Sequence, residues 1–381
     1  MDTFSQRPSL SPSSLVFSDR ENRRSRCTPA PGPRVARGVY LSNDAFEGIE
    51  ALWQAEHLVA QARIYAEALR PGAQFQCRAM TMSSALILYG IDTWFRNPPV
   101  LYRAHSASGR TWLLPEVPTP FGIVPATESK AVVLTRRRET ALQSPGAGSS
   151  AGPSSDRVPC REVVLERLEQ VAVDIARFAP PVTATADVSM ILARLSSFDR
   201  RDLASSRRRE QEWRQRLLKM NSDIASRHRR KVAEAVIKAA DAGVDSHAEG
   251  ALRWVLLNVV DSVLLRRWFG ETLTSQHEVH VGSGRYYIDM ALPKLGVAIE
   301  FEGMGKLYGE ETDGQARVRN YFLRREALVR VGWTYIAVTY KELSKPVALA
   351  SRLQQELSRL RVPVRSDISA LGALPHRAML A

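Results

Sequence analysis

R-Y-Y-I-D-M-A-L-P-K-L-G-V-A-I-E-F-E-G, Arg285 to Gly303, is the stretch that decides the fold of the C-terminal part of this chain. Pro293-Lys294-Leu295-Gly296 has the chemistry of a tight turn: Pro presets one backbone angle, and Gly is free to take a positive one. The flanking residues then read as two paired strands. Side chains alternate faces along a strand. With the turn at 293–296, Leu292 faces Val297, and counting outward Asp289 faces Glu300. Glu302 lies two residues further along that face. Ile288, Met290, Val297, Ile299 and Phe301 fall on the other, apolar face. Like charges directly opposite on a sheet are destabilising. Two facing carboxylates on an otherwise apolar hairpin therefore call for a cation or a shared proton.

Working outward, the unit around the hairpin reads helix, three strands, helix, strand, helix. Ser246 followed by Glu249 is a capping-box pattern opening a helix from His247 to about Phe269. Thr274 to Val281 reads as a strand, and Gly303 to Gly309 as a Gly-rich loop. A helix from Gln315 to Arg330 carries Arg317, Arg319 and Arg324. Trp333 to Thr339 is a strand, and Val347 to Leu360 a closing helix. This order predicts a compact domain with a mixed sheet, in a chain that is α/β (α+β overall).

Upstream, 1–33 is a Ser/Pro/Arg-rich arm, read as disordered apart from a short helix around Ser14 to Asn22. Residues 34–141 form a mixed region. It opens on a bent strand at Val35 to Leu41 and continues with helices at Phe46 to Leu69 and Met80 to Tyr89. Strands are expected near Phe75 to Cys77, Val100 to His105, Thr111 to Leu114 and Val132 to Thr135. The Gly/Ser/Pro segment 142–160 is a flexible loop. Residues 161–241 are helical, at Glu162 to Phe178 and Thr183 to Leu195 and on through a basic helix. The last domain spans 242–362, and 363–381 is a loose tail.

The chain has 381 residues, enough for more than one core, and a net charge of +13. That excess favours a polyanionic partner, with nucleic acid first and an anionic membrane surface second; a solvated basic surface is the plain alternative. Positive charge concentrates in Phe198 to Lys231, which includes Arg207, Arg208 and Arg209. Such a helix either lies along a phosphate backbone or is a solvent-washed link between domains. Cys27, Cys77 and Cys160 form no C-x-x-C pair, which argues against a cysteine zinc site and a disulfide framework. The longest apolar run, Trp254 to Leu265, is too short for a bilayer and is interrupted by Asn258 and Asp261. No signal-like core opens the chain. The expectation is a cytoplasmic protein with no membrane partner.

Asp289 and Glu300 are acceptors suited to a hard cation such as Mg2+, whose shell waters and a substrate phosphate complete. Glu249 either supplies a third carboxylate or complements the helix dipole. Lys306 either neutralises developing charge or is solvated. No nucleophile elbow, P-loop or dinucleotide fingerprint is present.

The run Ser246-His-Ala-Glu249, Tyr287-Ile-Asp289-Met, Ala298-Ile-Glu300-Phe-Glu302-Gly303, Lys306-Leu-Tyr308 and Gly332-Trp333 resembles the PD-(D/E)xK nuclease superfamily. It looks closest to the branch of very-short-patch-repair endonuclease-like domains. The resemblance implies a restriction-endonuclease-like mixed sheet flanked by helices, with metal at Asp289 and Glu300 and help from Glu249. Glu302 stands where the superfamily's name puts lysine; acids are usual there in this branch, and Lys306 takes the cationic role. The first half is similar to AbiEi-like antitoxin proteins of abortive-infection systems. Arg34-Val-Ala-Arg-Gly-Val-Tyr40, Thr81 to Gly90, and Asp174, Ala176 and Arg177 carry that likeness. It implies a winged-helix-like start, here degenerate, and a cognate toxin as a partner. The resulting expectation is a DNA-associated protein whose last domain hydrolyses phosphodiesters with Mg2+. Arg207, Arg208, Arg209, Arg317, Arg319 and Arg324 would hold the DNA backbone. The alternative is a non-catalytic antitoxin or transcriptional regulator that uses the nuclease fold for binding.

Overall fold

The computed structural model describes residues 8–17, 32–69, 79–94, 96–103, 111–132, 163–282, 284–302 and 322–368. The chain divides into two compact units, 1–174 and 175–381. Both mix helices with sheets, so the fold is α/β. Among the described residues no helix is long and apolar enough to cross a membrane.

In the first unit, β1 (Leu15–Phe17), β2 (Arg34–Ala36) and β3 (Val39–Leu41) form an antiparallel sheet in the order β1-β3-β2. A strand thus stands at 15–17, where the sequence suggested the start of a short helix; 18–22 lie outside the described residues. Pro12–Ser14 makes only a 3-10 turn, and the β-branched and aromatic Val16 and Phe17 favour pairing with β3. Helix α1 (Leu52–Ala68) follows. Its start is closed by Gln54, whose Oε1 accepts from the Glu50 and Ala51 N–H groups. Arg63 on α1 is fully buried and donates to Asn97 and to the carbonyls of Pro115 and Pro125, tying two loops to the helix.

Strand β4 (Ala79–Met80) precedes α2 (Met82–Leu88). Then come β5 (Val100–Arg103), β6 (Trp112–Leu114), β7 (Val117–Thr119), β8 (Gly122–Val124) and β9 (Thr127–Val132). A second sheet runs β4-β5-β9-β6, with β5 and β9 parallel, and β7-β8 is a separate hairpin. One apolar cluster joins α1 to both sheets. The expected strand at 75–77 and the flexible loop lie outside the described residues, and of the strand expected at Val132 to Thr135 only Val132, the end of β9, is described.

Helix α3 (Leu168–Phe178) leads into the second unit, followed by α4 (Pro181–Ser196), α5 (Leu203–Asp223), α6 (Arg230–Ala239), α7 (His247–Val259) and α8 (Ser262–Phe269). The single helix expected from 247 to 269 is two. Asp261 turns away and caps α8, accepting from the N–H groups of Val263 and Leu264, while Val260 bridges to Val364. Strands β10 (Thr274–Val281), β11 (Gly284–Leu292) and β12 (Val297–Glu302) form an antiparallel meander. Helix α9 (322–330) then leads to β13 (Thr334–Thr339), which lies parallel to β12. Helices α10 (Tyr340–Leu343) and α11 (Pro346–Arg359) close the unit. The sheet order β10-β11-β12-β13 is mixed, as the sequence predicts.

Helix α7 sits between this sheet, α4 and α11. Its approach to α4 depends on Gly250, where an added Cβ would lie 2.8 Å from the Ala186 Cα. The basic helix α5 is anchored by a largely buried ionic network. Arg207 bridges Glu210 and Asp241 at 2.7 and 2.6 Å, Arg214 meets Glu210 at 2.5 Å, and Arg253 of α7 reaches Asp241 at 3.5 Å. Burial works against the charge on Asp241, but Arg253 and Arg207 outweigh it and hold the carboxyl well below its usual range.

Candidate functional site

The turn of the hairpin forms as its composition dictates. Pro293–Leu295 is a 3-10 turn and Gly296 takes φ +60°. The ladder pairs Leu292 with Val297, Ala291 with Ala298 and Met290 with Ile299. Continued by one step, this register sets Asp289 against Glu300, but the regular pairing ends there and the side chains occupy the gap. Asp289 Oδ2 accepts from the Phe301 N–H at 2.9 Å, and Glu300 Oε1 accepts from the Asp289 N–H at 3.4 Å. Each carboxylate thus takes a backbone donor from the opposite strand. This explains how two acids stand together in a sheet. Both are buried, at 7% and 5% exposure, among the buried Ile288, Met290, Val297 and Ile299; Phe301 is half-buried.

Glu249 comes in from the first turn of α7. Half of the expected capping box forms: Ser246 Oγ accepts from the Glu249 N–H at 3.2 Å and donates to Glu249 Oε1 at 2.9 Å, while the Glu249 side chain reaches one residue further back than the N-cap N–H. The Asp245 N–H donates to Glu249 Oε2 at 2.9 Å. Glu249 is also buried, at 1% exposure, and is joined to the hairpin through Gln276 of β10. Gln276 Nε2 donates to Glu249 Oε2 at 2.8 Å and reaches Asp289 Oδ1 at 3.5 Å. Three carboxylates from three elements are linked in this way.

Countercharge comes from α9. Arg324 donates through Nη2 to Glu300 Oε1 at 2.9 Å and to the Tyr287 carbonyl. It does not cancel the effect of the site: Glu300 is pushed up to about 8, first by burial and then by Asp289. Arg324 pulls the other way, and Glu249 adds a smaller push. At neutral pH the carboxyl therefore tends to hold a proton unless further positive charge arrives.

Two oxygen-donor carboxylates, with waters and a phosphate to complete the shell, are the usual protein contribution to a Mg2+ site. Asp289 and Glu300 fit that donor chemistry. Among the described residues no group of three or more His, Cys, Asp or Glu side chains converges to hold a metal ion. Glu249 connects to the pair through Gln276. Glu302 lies at the end of β12, half-buried and paired with Thr339 of β13. Lys306, Arg317 and Arg319 lie outside the described residues.

The remaining cations named from sequence separate by environment. Arg207 belongs to the ionic network that anchors α5. Arg209 donates to the carbonyls of Ser196 and Ser197 and to Ser206 Oγ. Arg324 is turned onto Glu300. Arg208 is exposed, as are Arg216, Lys219, Arg227 and Lys231. Sequence reasoning passed over Gln276. An isolated Gln in a strand carries no motif, and its only signal would have been its place opposite Asp289 across β10 and β11. No family model, curated protein or solved structure matches the chain.

Proposed function

We propose that the second unit is a metal-dependent phosphodiesterase acting on DNA, with Asp289 and Glu300 as the metal-binding pair. The observation that carries this reading is the buried pair itself: two carboxylates from adjacent strands stand together, and burial with Asp289 raises Glu300 against the pull of Arg324. Mg2+, when bound, would offset charge on the phosphoryl oxygens and lower the pKa of a water. Asp289 and Glu300 would present oxygen donors from a rigid ladder end, and Glu249 would hold the geometry from α7. Exposed cations on α5 and the excess of +13 suit a polyanionic substrate. Glu302 stands at the position of the superfamily's lysine, and Lys306 remains the sequence-based candidate for the cationic role.

A second reading is favoured by Arg324, whose guanidinium already pairs with Glu300. In that reading the nuclease-like unit is a binding scaffold, as in an antitoxin or transcriptional regulator with a cognate toxin, and the acids serve the fold. One assay separates the two. Supercoiled plasmid is incubated with the protein, with and without Mg2+ or Mn2+, beside Asp289→Ala and Glu300→Ala. The hydrolase reading expects metal-dependent nicking that both variants lose. No nicking by wild type, or nicking unchanged in both variants, rejects it, and a gel shift that weakens steeply with salt then supports the scaffold.

A further inference from the structure

Gln276 stands out from the rest of its sheet. Ser275 pairs with Met290 and His277 with Ile288, so Gln276 falls opposite Asp289 in an otherwise regular ladder. Its φ is +53°, and it is the one non-glycine residue with positive φ inside a strand among the described residues. A side chain in this region carries steric strain, and such strain persists only where the surroundings impose it. The residue is 6% exposed. Its neighbour Ser275 is clamped to α7, since Arg253 Nη1 donates to Ser275 Oγ at 3.0 Å. The strained backbone delivers the amide between two acids from different elements, Glu249 at 2.8 Å and Asp289 at 3.5 Å.

We propose that Gln276 is a positioning residue for the candidate metal pair: its amide ties Asp289 to Glu249 and so fixes the Asp289 carboxylate in the orientation that receives a divalent cation. This rests on the hydrolase reading above. Groups that orient metal ligands commonly change affinity by about tenfold to a hundredfold when altered.

The test is Mn2+ titration of the full chain, followed by loss of the free-ion electron paramagnetic resonance signal, with folding checked by circular dichroism. Wild type is compared with Asp289→Ala, Gln276→Met and Gln276→Gly. Gln276→Met removes both amide donors at nearly the same size, and Gln276→Gly removes them while relieving the positive φ. The expected result is one Mn2+ site lost in Asp289→Ala and weakened at least about tenfold in Gln276→Met and in Gln276→Gly. A folded Gln276→Met or a folded Gln276→Gly that binds as wild type does overturns the positioning role alone. Absence of Mn2+ binding in wild type, or unchanged binding in Asp289→Ala, removes the metal site and the proposal with it.

Discussion

Glu166 in the first unit shows how a single buried acid sets a pH dependence. Its carboxylate meets Arg103 Nε at 2.6 Å and accepts from Thr81 Oγ1 at 2.5 Å, while Arg103 also meets Asp174 at 3.1 Å. One guanidinium thus serves two buried acids. Burial first, and Asp174 second, push Glu166 up to about 7, against the pull of Arg103 and Thr81. Because the folded value lies above the ordinary one, folding favours the protonated acid. Its contribution is fully present below about pH 4.5 and is lost as pH rises through about 7. Glu166→Gln, neutral and of the same shape, should flatten this dependence. Urea unfolding at pH 5 and pH 8 is expected to show wild type losing up to about 3 kcal/mol more than the variant between those values. Equal losses in both proteins would place the titrating group elsewhere. Glu300 follows the same logic in the second unit. The register of its hairpin was legible because Pro293 and Gly296 fix the count, whereas the Arg324 contact was not, since it depends on where α9 lands.

Elements pack according to details that periodicity does not carry. Helix α7 was visible from its capping box and apolar spacing, but its intimacy with α4 depends on one missing side chain. An added Cβ at Gly250 would meet the Ala186 Cα at 2.8 Å, and backbone cannot swing aside as a side chain does. Gly250→Ala gains helix propensity of just under about 1 kcal/mol, yet overpacking at such a contact costs about 1–3 kcal/mol. The net expectation is destabilisation, read as a lower urea midpoint with an unchanged slope; a raised midpoint would mean that the two helices separate freely. The same limit applies to α5. Its arginines looked like one basic face, but Arg207 is drawn inward by Asp241, 34 residues away in the chain, and Arg209 by carbonyls at the end of α4. The break at Asp261 was signalled by an N-cap residue within an apolar run. Apolar spacing on both sides disguised it. Gln276 was hidden for a different reason: its role comes from a backbone angle, which residue type alone does not announce.

At the scale of the whole molecule the governing quantity is the net charge of +13, and the structure separates the cations that carry fold from those facing solvent. Arg207, Arg209 and Arg214 are committed to acids and carbonyls within the second unit. Arg208, Arg216 and Lys219 of α5 are exposed, with Arg216 lying over the Trp213 ring at 4.7 Å. If DNA is the partner, each phosphate neutralised releases counterions, and the logarithm of affinity falls with the logarithm of salt by about 0.9 per contact. Replacing Arg208, Arg216 and Lys219 together by Ala should therefore lower that slope by about 2–3 and weaken binding similarly across sequences, with thermal stability nearly unchanged. Arg214→Ala should behave in the opposite way. It leaves Glu210 short of a partner within a buried network and lowers stability by about 3 kcal/mol or more, with little change in salt slope while the protein stays folded. Fluorescence anisotropy across a salt series, read beside urea unfolding of both variants, checks the pair of expectations. A triple variant with an unaltered slope would remove the exposed face of α5 from the DNA contact and leave its charge as solvation alone.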